Sequence, residues 1–219
     1  MAITINGNGT ITGYTPVADG SITAAKLASD AISAATLPAG SVLQVVNTNA
    51  TATQNIATNS NGTFYGITDL DTTITTLSAN SKLLISCQVF GEATDIDAVF
   101  GFAWQRGISG TFTDFMKGDD DGASRREMTT IMSLGHYSSN QTDTPSATSL
   151  PPLIDSPSQA AGTAITYRIG VGKQSGSVEA FRMNQAYADS NSASYERGAS
   201  WMTVMELSLI HISEPTRPE

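Results

Sequence analysis

The chain has 219 residues, 40% hydrophobic and only 14% charged, with a formal net charge of −9. That length allows one domain of ordinary size with a real core, plus a short appendage. Eleven scattered basic residues argue against nucleic acid as a partner, since phosphate binding needs clustered Lys and Arg, and no eighteen-residue apolar run is present for membrane insertion.

Residues 1–13 read MAITINGNGTITG, with Asn8-Gly9 between short runs of alternating Ile and Thr. This predicts a β-hairpin, because both central residues of a type I′ turn need positive φ. Neither the basic nor the apolar region of a secretory signal is visible here. Ile22, Ala24, Ala25 and Leu27 then recur ten positions on as Ile32, Ala34, Ala35 and Leu37. An Ile/Leu pair in each copy cannot build its own core. The segment reads either as an Ala-rich linker with two nascent helical turns or as a wrap around symmetry mates. Pro38-Ala39-Gly40 marks the joint, so residues 1–39 are expected to form an attachment or oligomerisation segment.

From Gly40 the pattern predicts strands at regular spacing: 41–47, 63–67, 72–77, 82–91, 99–106, 112–117, 128–136, 165–172, 178–184 and 200–207. Turn signals separate them, among them Asn61-Gly62, Ser109-Gly110 and Ser175-Gly176. Many short strands, abundant Thr and Gly and no helical period predict an all-β fold over residues 40–206, a β-sandwich of jelly-roll type. Residues 119–127 and 138–162 read as long polar loops, where binding on a rigid sandwich is expected. Within the second, Leu153 to Pro157 reads as a turn.

Few residues point to chemistry. Cys87, in KLLISCQV, reads as a small hydrophobe on a buried strand. Asp119-Asp120-Asp121-Gly122 lacks the alternating ligands of a calcium loop and reads as a solvated turn. Glu92, Asp95 and Asp97 are the best carboxylates for glycosidase-type acid/base work, but their context reads as an acidic turn. His136 has no partner set for nucleophilic catalysis or a metal, and no nucleophile elbow, phosphate loop or dinucleotide fingerprint is present. No catalytic residue, metal or cofactor is expected. For ligand binding the candidates are Arg125 and Arg126, as an exposed cationic pair for an acidic sugar, and Tyr137, Tyr187 and Tyr195 as stacking surfaces. Trp201 is expected in the core or at a subunit interface.

The chain closes with LSLIHISEPTRPE, of which Leu207 to Arg217 resembles the reading-frame translation of a transposase-type sequencing adapter. Residues 207–219 are accordingly left out of the functional reading as a tail, and His211 with them.

The order MAITINGNGTITG, then DGSITAAKLASDAI, then LPAGSVLQVV resembles tail-fibre and other virion structural proteins of tailed bacteriophages. ITTLSANSKLLISCQVFGEA, LIDSP before Ala164-Ile165-Thr166-Tyr167, and the closing WMTVMEL resemble the body of that family. The similarity covers most of residues 1–206 and is weakest over 107–162. It implies a non-enzymatic virion component assembled in the bacterial cytoplasm, a homotrimer joined to other virion tail proteins at its N-terminal end. Its outward β domain would bind a host surface glycan or protein. A purely structural decoration protein and a polysaccharide depolymerase are the rival expectations.

Overall fold

The computed structural model describes residues 4–5, 11–12, 37–38, 40–93, 100–119, 127–132, 145–173, 179–191, 193 and 195–209. The chain divides into two units, Met1–Leu37 and Pro38–Glu219. In the first, β1 (Thr4–Ile5) pairs antiparallel with β2 (Ile11–Thr12). The expected hairpin forms, with its register one residue off. A two-residue turn at Asn8-Gly9 would set Ile5 opposite Thr12; Ile5 instead faces Ile11. Residues 6–10 and most of the repeat lie outside the described residues.

The second unit consists of β3 (Val42–Ala50), β4 (Gln54–Thr58), β5 (Tyr65–Gly66), β6 (Thr72–Thr75), β7 (Lys82–Ala93), β8 (Phe100–Ile108), β9 (Thr111–Phe115), β10 (Thr130–Ile131), β11 (Ser146–Asp155), β12 (Ala164–Lys173), β13 (Glu179–Met183) and β14 (Ser200–Leu207). A single 3-10 turn, Thr68–Leu70, precedes β6. The strands form two antiparallel sheets. One has the order β3-β14-β7-β13-β4, with β11 along the other side of β7. The second is centred on β8 and β12, with β9 and β10 beside β8 and β5 and β6 beside β12. This is the two-sheet β-sandwich expected from the strand pattern.

Alternation along β7 turns Leu83, Ile85, Cys87 and Val89 inward, joined by Met202 and Val204 of β14. Phe102, Trp104, Ile165, Tyr167 and Ile169 face them from the other sheet, all fully buried. Phe102 meets Phe181 of β13 edge to face across the sandwich, with ring centroids 5.6 Å apart. Cys87 is 1% exposed, as its apolar neighbours led one to expect, and burial pushes its thiol far above the ordinary range.

The outer side of the β8 sheet is covered by the chain itself. Gly101 lies under Met128, Gly170 under Phe64 and Gly172 against the carbonyl of Thr63. Arg168 stacks on Phe112, 3.8 Å from its ring centroid, and forks onto the Asp71 carboxylate.

Ser109 and Gly110 both have positive φ, at 52° and 83°, joining Ile108 to Thr111 through the two-residue turn their sequence signalled. Three strands depart from the sequence reading: of the one read over 128–136, the described residues show strand only at Thr130–Ile131. β4 has one core residue, Ile56, and gives little periodicity. β11 occupies the stretch read as a polar loop, so Leu153 to Asp155 extend a strand instead of turning. Its two prolines, Pro151 and Pro152, fall in a register shift between Leu150 and Leu153. Among the described strands β11 pairs only with β7, so their missing N–H groups break no ladder on the other side.

The closing strand ends at Leu207, as its sequence pattern led one to expect. Leu207 pairs with Val42 and Lys82, while Ser208 exchanges hydrogen bonds with Ser41 and takes another from the N–H of Gly40. Residues 210–219 lie outside the described residues.

Candidate functional site

The loop between β13 and β14, residues 184–199, gathers aromatic, amide and charged side chains on a rigid base. Both of its ends are tied to Phe90 in β7. The N–H of Asn184 donates to the Phe90 carbonyl at 2.9 Å, and the N–H of Phe90 donates to Ser200 Oγ at 2.9 Å. Ser200 Oγ in turn donates to Asn184 Oδ1 at 2.7 Å, and Asn184 Nδ2 donates to the carbonyls of Ala50 and Ala52, each at 2.8 Å. Asn184 has φ 62°, a left-handed conformation that Asn tolerates better than most residues, and it is fully buried. A buried amide with its donors and acceptor satisfied fixes where the loop leaves the sheet.

From that base the loop folds over the outer side of β13 and the far end of β7. Tyr187 N–H donates to Glu92 Oε2 at 2.6 Å, and its ring lies 4.6 Å from the Arg182 guanidinium. Gly198 sits against the ring of Phe90, where a Cβ would fall 2.5 Å from the nearest ring carbon. Further out, Arg197 forks onto Asp189, with Nε to Oδ1 at 3.0 Å and Nη2 to Oδ2 at 2.7 Å. Asp189, Ser190, Asn191, Tyr195 and Arg197 line a cleft of about 380 Å³.

The cleft holds a carboxylate already neutralised by its arginine, an amide, a hydroxyl and a phenol ring, which offer planar hydrogen-bond partners and one stacking face to a hydroxylated ligand. Glu92, the one described member of the acidic trio with Asp95 and Asp97, is 6% exposed and holds the loop through Tyr187. That places it in the scaffold. Asp95, Asp97, His136, Asp120 and Asp121 lie outside the described residues.

Of the candidates read from sequence, the structure brings Tyr187 and Tyr195 into this one loop and gives them different places. Tyr195 lines the cleft, whereas Tyr187 is packed at the root with Arg182 on one face. Arg125, Arg126 and Tyr137 lie outside the described residues. Of the two places expected for Trp201, the core is not the one it takes: it stands half-buried on the outer side of β14, opposite Asn49 and Gln88. Asp189, Asn191 and Arg197 were missed. Their only signal was a polar run with one isolated arginine, and the partnership of Asp189 with Arg197 exists only once the loop closes.

No protein-family model matches the chain, and no curated protein matches it in sequence. Among solved structures it is similar to that of the infectious bursal disease virus Gx strain, at 11% identity and a TM-score of 0.34, over 76% of this chain and 38% of that one. It is also similar to the VP2 subviral particle of infectious bursal disease virus, at 12% identity and a TM-score of 0.36, over 76% and 41% of the two chains. The chain thus spans about two-fifths of the viral chains it matches.

Proposed function

We propose that this chain is a non-enzymatic virion structural protein, a tail fibre or appendage of a tailed bacteriophage. In this reading its sandwich presents the β13–β14 cleft to a glycan or protein of the host surface. The ordered run of hairpin, repeat, GSVLQVV and closing WMTVMEL supports the virion assignment. The single observation that carries the binding assignment is the cleft itself. Tyr195 and Asn191 line a concave site beside the Arg197–Asp189 fork, on a loop held at both ends by buried hydrogen bonds. Rigid support of that kind lowers the ordering cost of binding.

A second reading, decoration or fibre without a host ligand, is favoured by the self-satisfied fork, which leaves neither charge in need of a partner. Glycan-array and host-adsorption measurements on the full chain separate the two. Binding that falls at least about tenfold in Arg197→Ala or Tyr195→Ala supports the cleft. Absence of any host binding favours decoration. Cleavage of host polysaccharide would instead support a depolymerase.

A further inference from the structure

The outer side of the β7 sheet carries an apolar band that the described residues leave exposed. Four strands lie side by side, β3, β14, β7 and β11, and the register sets Val45, Met205, Leu84 and Ile154 opposite one another in a single row. The next row holds Val42, Leu207 and Lys82. Val42, Val45 and Ile154 are 51%, 54% and 56% exposed, while Met205, Leu84 and Leu207 are half-buried among them. A lone exposed aliphatic needs no explanation, but two neighbouring rows of them do.

The alternation of the strands explains the charge of this face as well. Glu206 and Asp155, the carboxylates of β14 and β11, fall on inward positions and are 0% and 9% exposed. Where these four strands lie side by side, Lys82 is the only ionic side chain directed outward among the described residues, in a chain with twenty Asp and Glu; Glu92, further along the same side of β7, is 6% exposed beneath the β13–β14 loop. The remaining outward rows are neutral: Asn47 with Thr203 and Ser86, then Asn49 with Trp201, Gln88 and Ser149. The chain covers the other part of this side itself, with Gly198 on Phe90 and Tyr187 on Arg182.

We infer that this face is a contact surface for a second copy of the same chain. Two copies at −9 each repel, and they meet at least cost through a surface from which the carboxylates have been turned away. A sugar would find few hydrogen-bond donors in the Val45–Met205–Leu84–Ile154 row, and a nucleic acid would find one lysine. Four strands about 4.8 Å apart and eight residues long, at about 3.3 Å per residue, present roughly 500 Å² in plan. The accessible area of a pleated surface is larger, which brings it toward the roughly 800 Å² per partner of a specific interface. The inference supplies a surface for the homotrimer that the sequence resemblance implies, yet it rests on the sheet face alone.

The test is light scattering over a concentration series with the full chain and its Val45→Glu/Ile154→Glu double variant. Both substituted side chains are more than half exposed, so the fold tolerates the change, and circular dichroism and a thermal melt verify it. The expected result is a self-associating parent at micromolar concentration and a variant whose association is weaker by about 100-fold, with Val45→Thr close to the parent. A parent that stays monomeric, or a folded variant that associates as the parent does, overturns the inference. Host binding is read separately, so its loss with association intact counts against the receptor-binding reading alone.

Discussion

Replacing Glu206 by Ala tests the most densely bonded side chain in the sandwich. The carboxylate is fully buried and accepts from the N–H of Leu77 at 2.9 Å to each oxygen, from the N–H of Ser78 at 3.1 Å, from Gln44 Nε2 at 2.5 Å and from the Ser81 hydroxyl. It fastens the 76–81 turn to β14. Gln44 keeps a second partner in the Thr75 carbonyl at 2.6 Å, and Leu77 in the turn is 56% exposed, so solvent can take over part of the donor set in the variant. Each buried donor stranded without a partner costs about 1–3 kcal/mol, so the Ala variant should lose about 3 kcal/mol in all. Glu206→Gln keeps the shape but sets an amide N–H against donors, and should lose about 1–2 kcal/mol.

The pH dependence adds a sharper criterion. Burial pushes the Glu206 carboxyl upward, but the hydrogen bonds from Ser81, Gln44, Leu77 and Ser78 outweigh it and hold the group below its ordinary 4.5. A depressed folded-state value means stability that is fully present above 4.5 and lost as the pH falls through the folded value. The Gln variant lacks this term, so its stability curve should converge on that of the parent at acid pH. Urea unfolding followed by tryptophan fluorescence from neutral pH downward reads both effects. A loss below about 1 kcal/mol in Glu206→Ala, or parallel curves for the parent and Glu206→Gln through the acid range, would refute the reasoning.

Three further outcomes follow from the same geometry. Tyr167→Phe removes the hydroxyl that donates to Asp155 Oδ2 at 2.6 Å, and should destabilise by about 1–2 kcal/mol in urea melts; Arg106, 2.8 Å from the same oxygen, keeps Asp155 partnered and limits the loss. Gly172→Ala places a Cβ 2.6 Å from the backbone carbonyl of Thr63, which cannot swing aside, and should cost about 1–3 kcal/mol by thermal or chemical melt. Burial holds the Cys87 thiol protonated, so the native protein should leave a thiol reagent unreacted at neutral pH and react fully on unfolding.

The strands that could be read in advance share a property: their neighbours in sequence carry the signal. Lys82–Ala93 alternates apolar residues along one face, and Ser109-Gly110 supplies the two positive-φ positions that its turn requires. β11 escaped because its signal is relational. Ser146–Asp155 holds two prolines and few aliphatics, and it becomes a strand because β7 offers a free edge and a register shift absorbs the prolines. The side of the sheet that Trp201 takes is relational as well. Alternation puts Ser200, Met202 and Val204 on one face, but which face looks inward is decided by β3 and β7 on either side. In the candidate site, Tyr195 was found by residue type. Asp189 and Arg197 were not, since eight residues separate partners that only a closed loop brings together.

By itself the sequence determined the all-β class, most of the strands, the hairpin at the start and the burial of Cys87. Each of these follows from local periodicity or from the φ demands of particular residues. The tertiary structure alone decided which loop forms a cleft, which carboxylates serve as fasteners and which sheet face shows an apolar band with no exposed carboxylate among the described residues. Those properties depend on cross-strand register and on what lies above each face, and both come from residues distant in the chain.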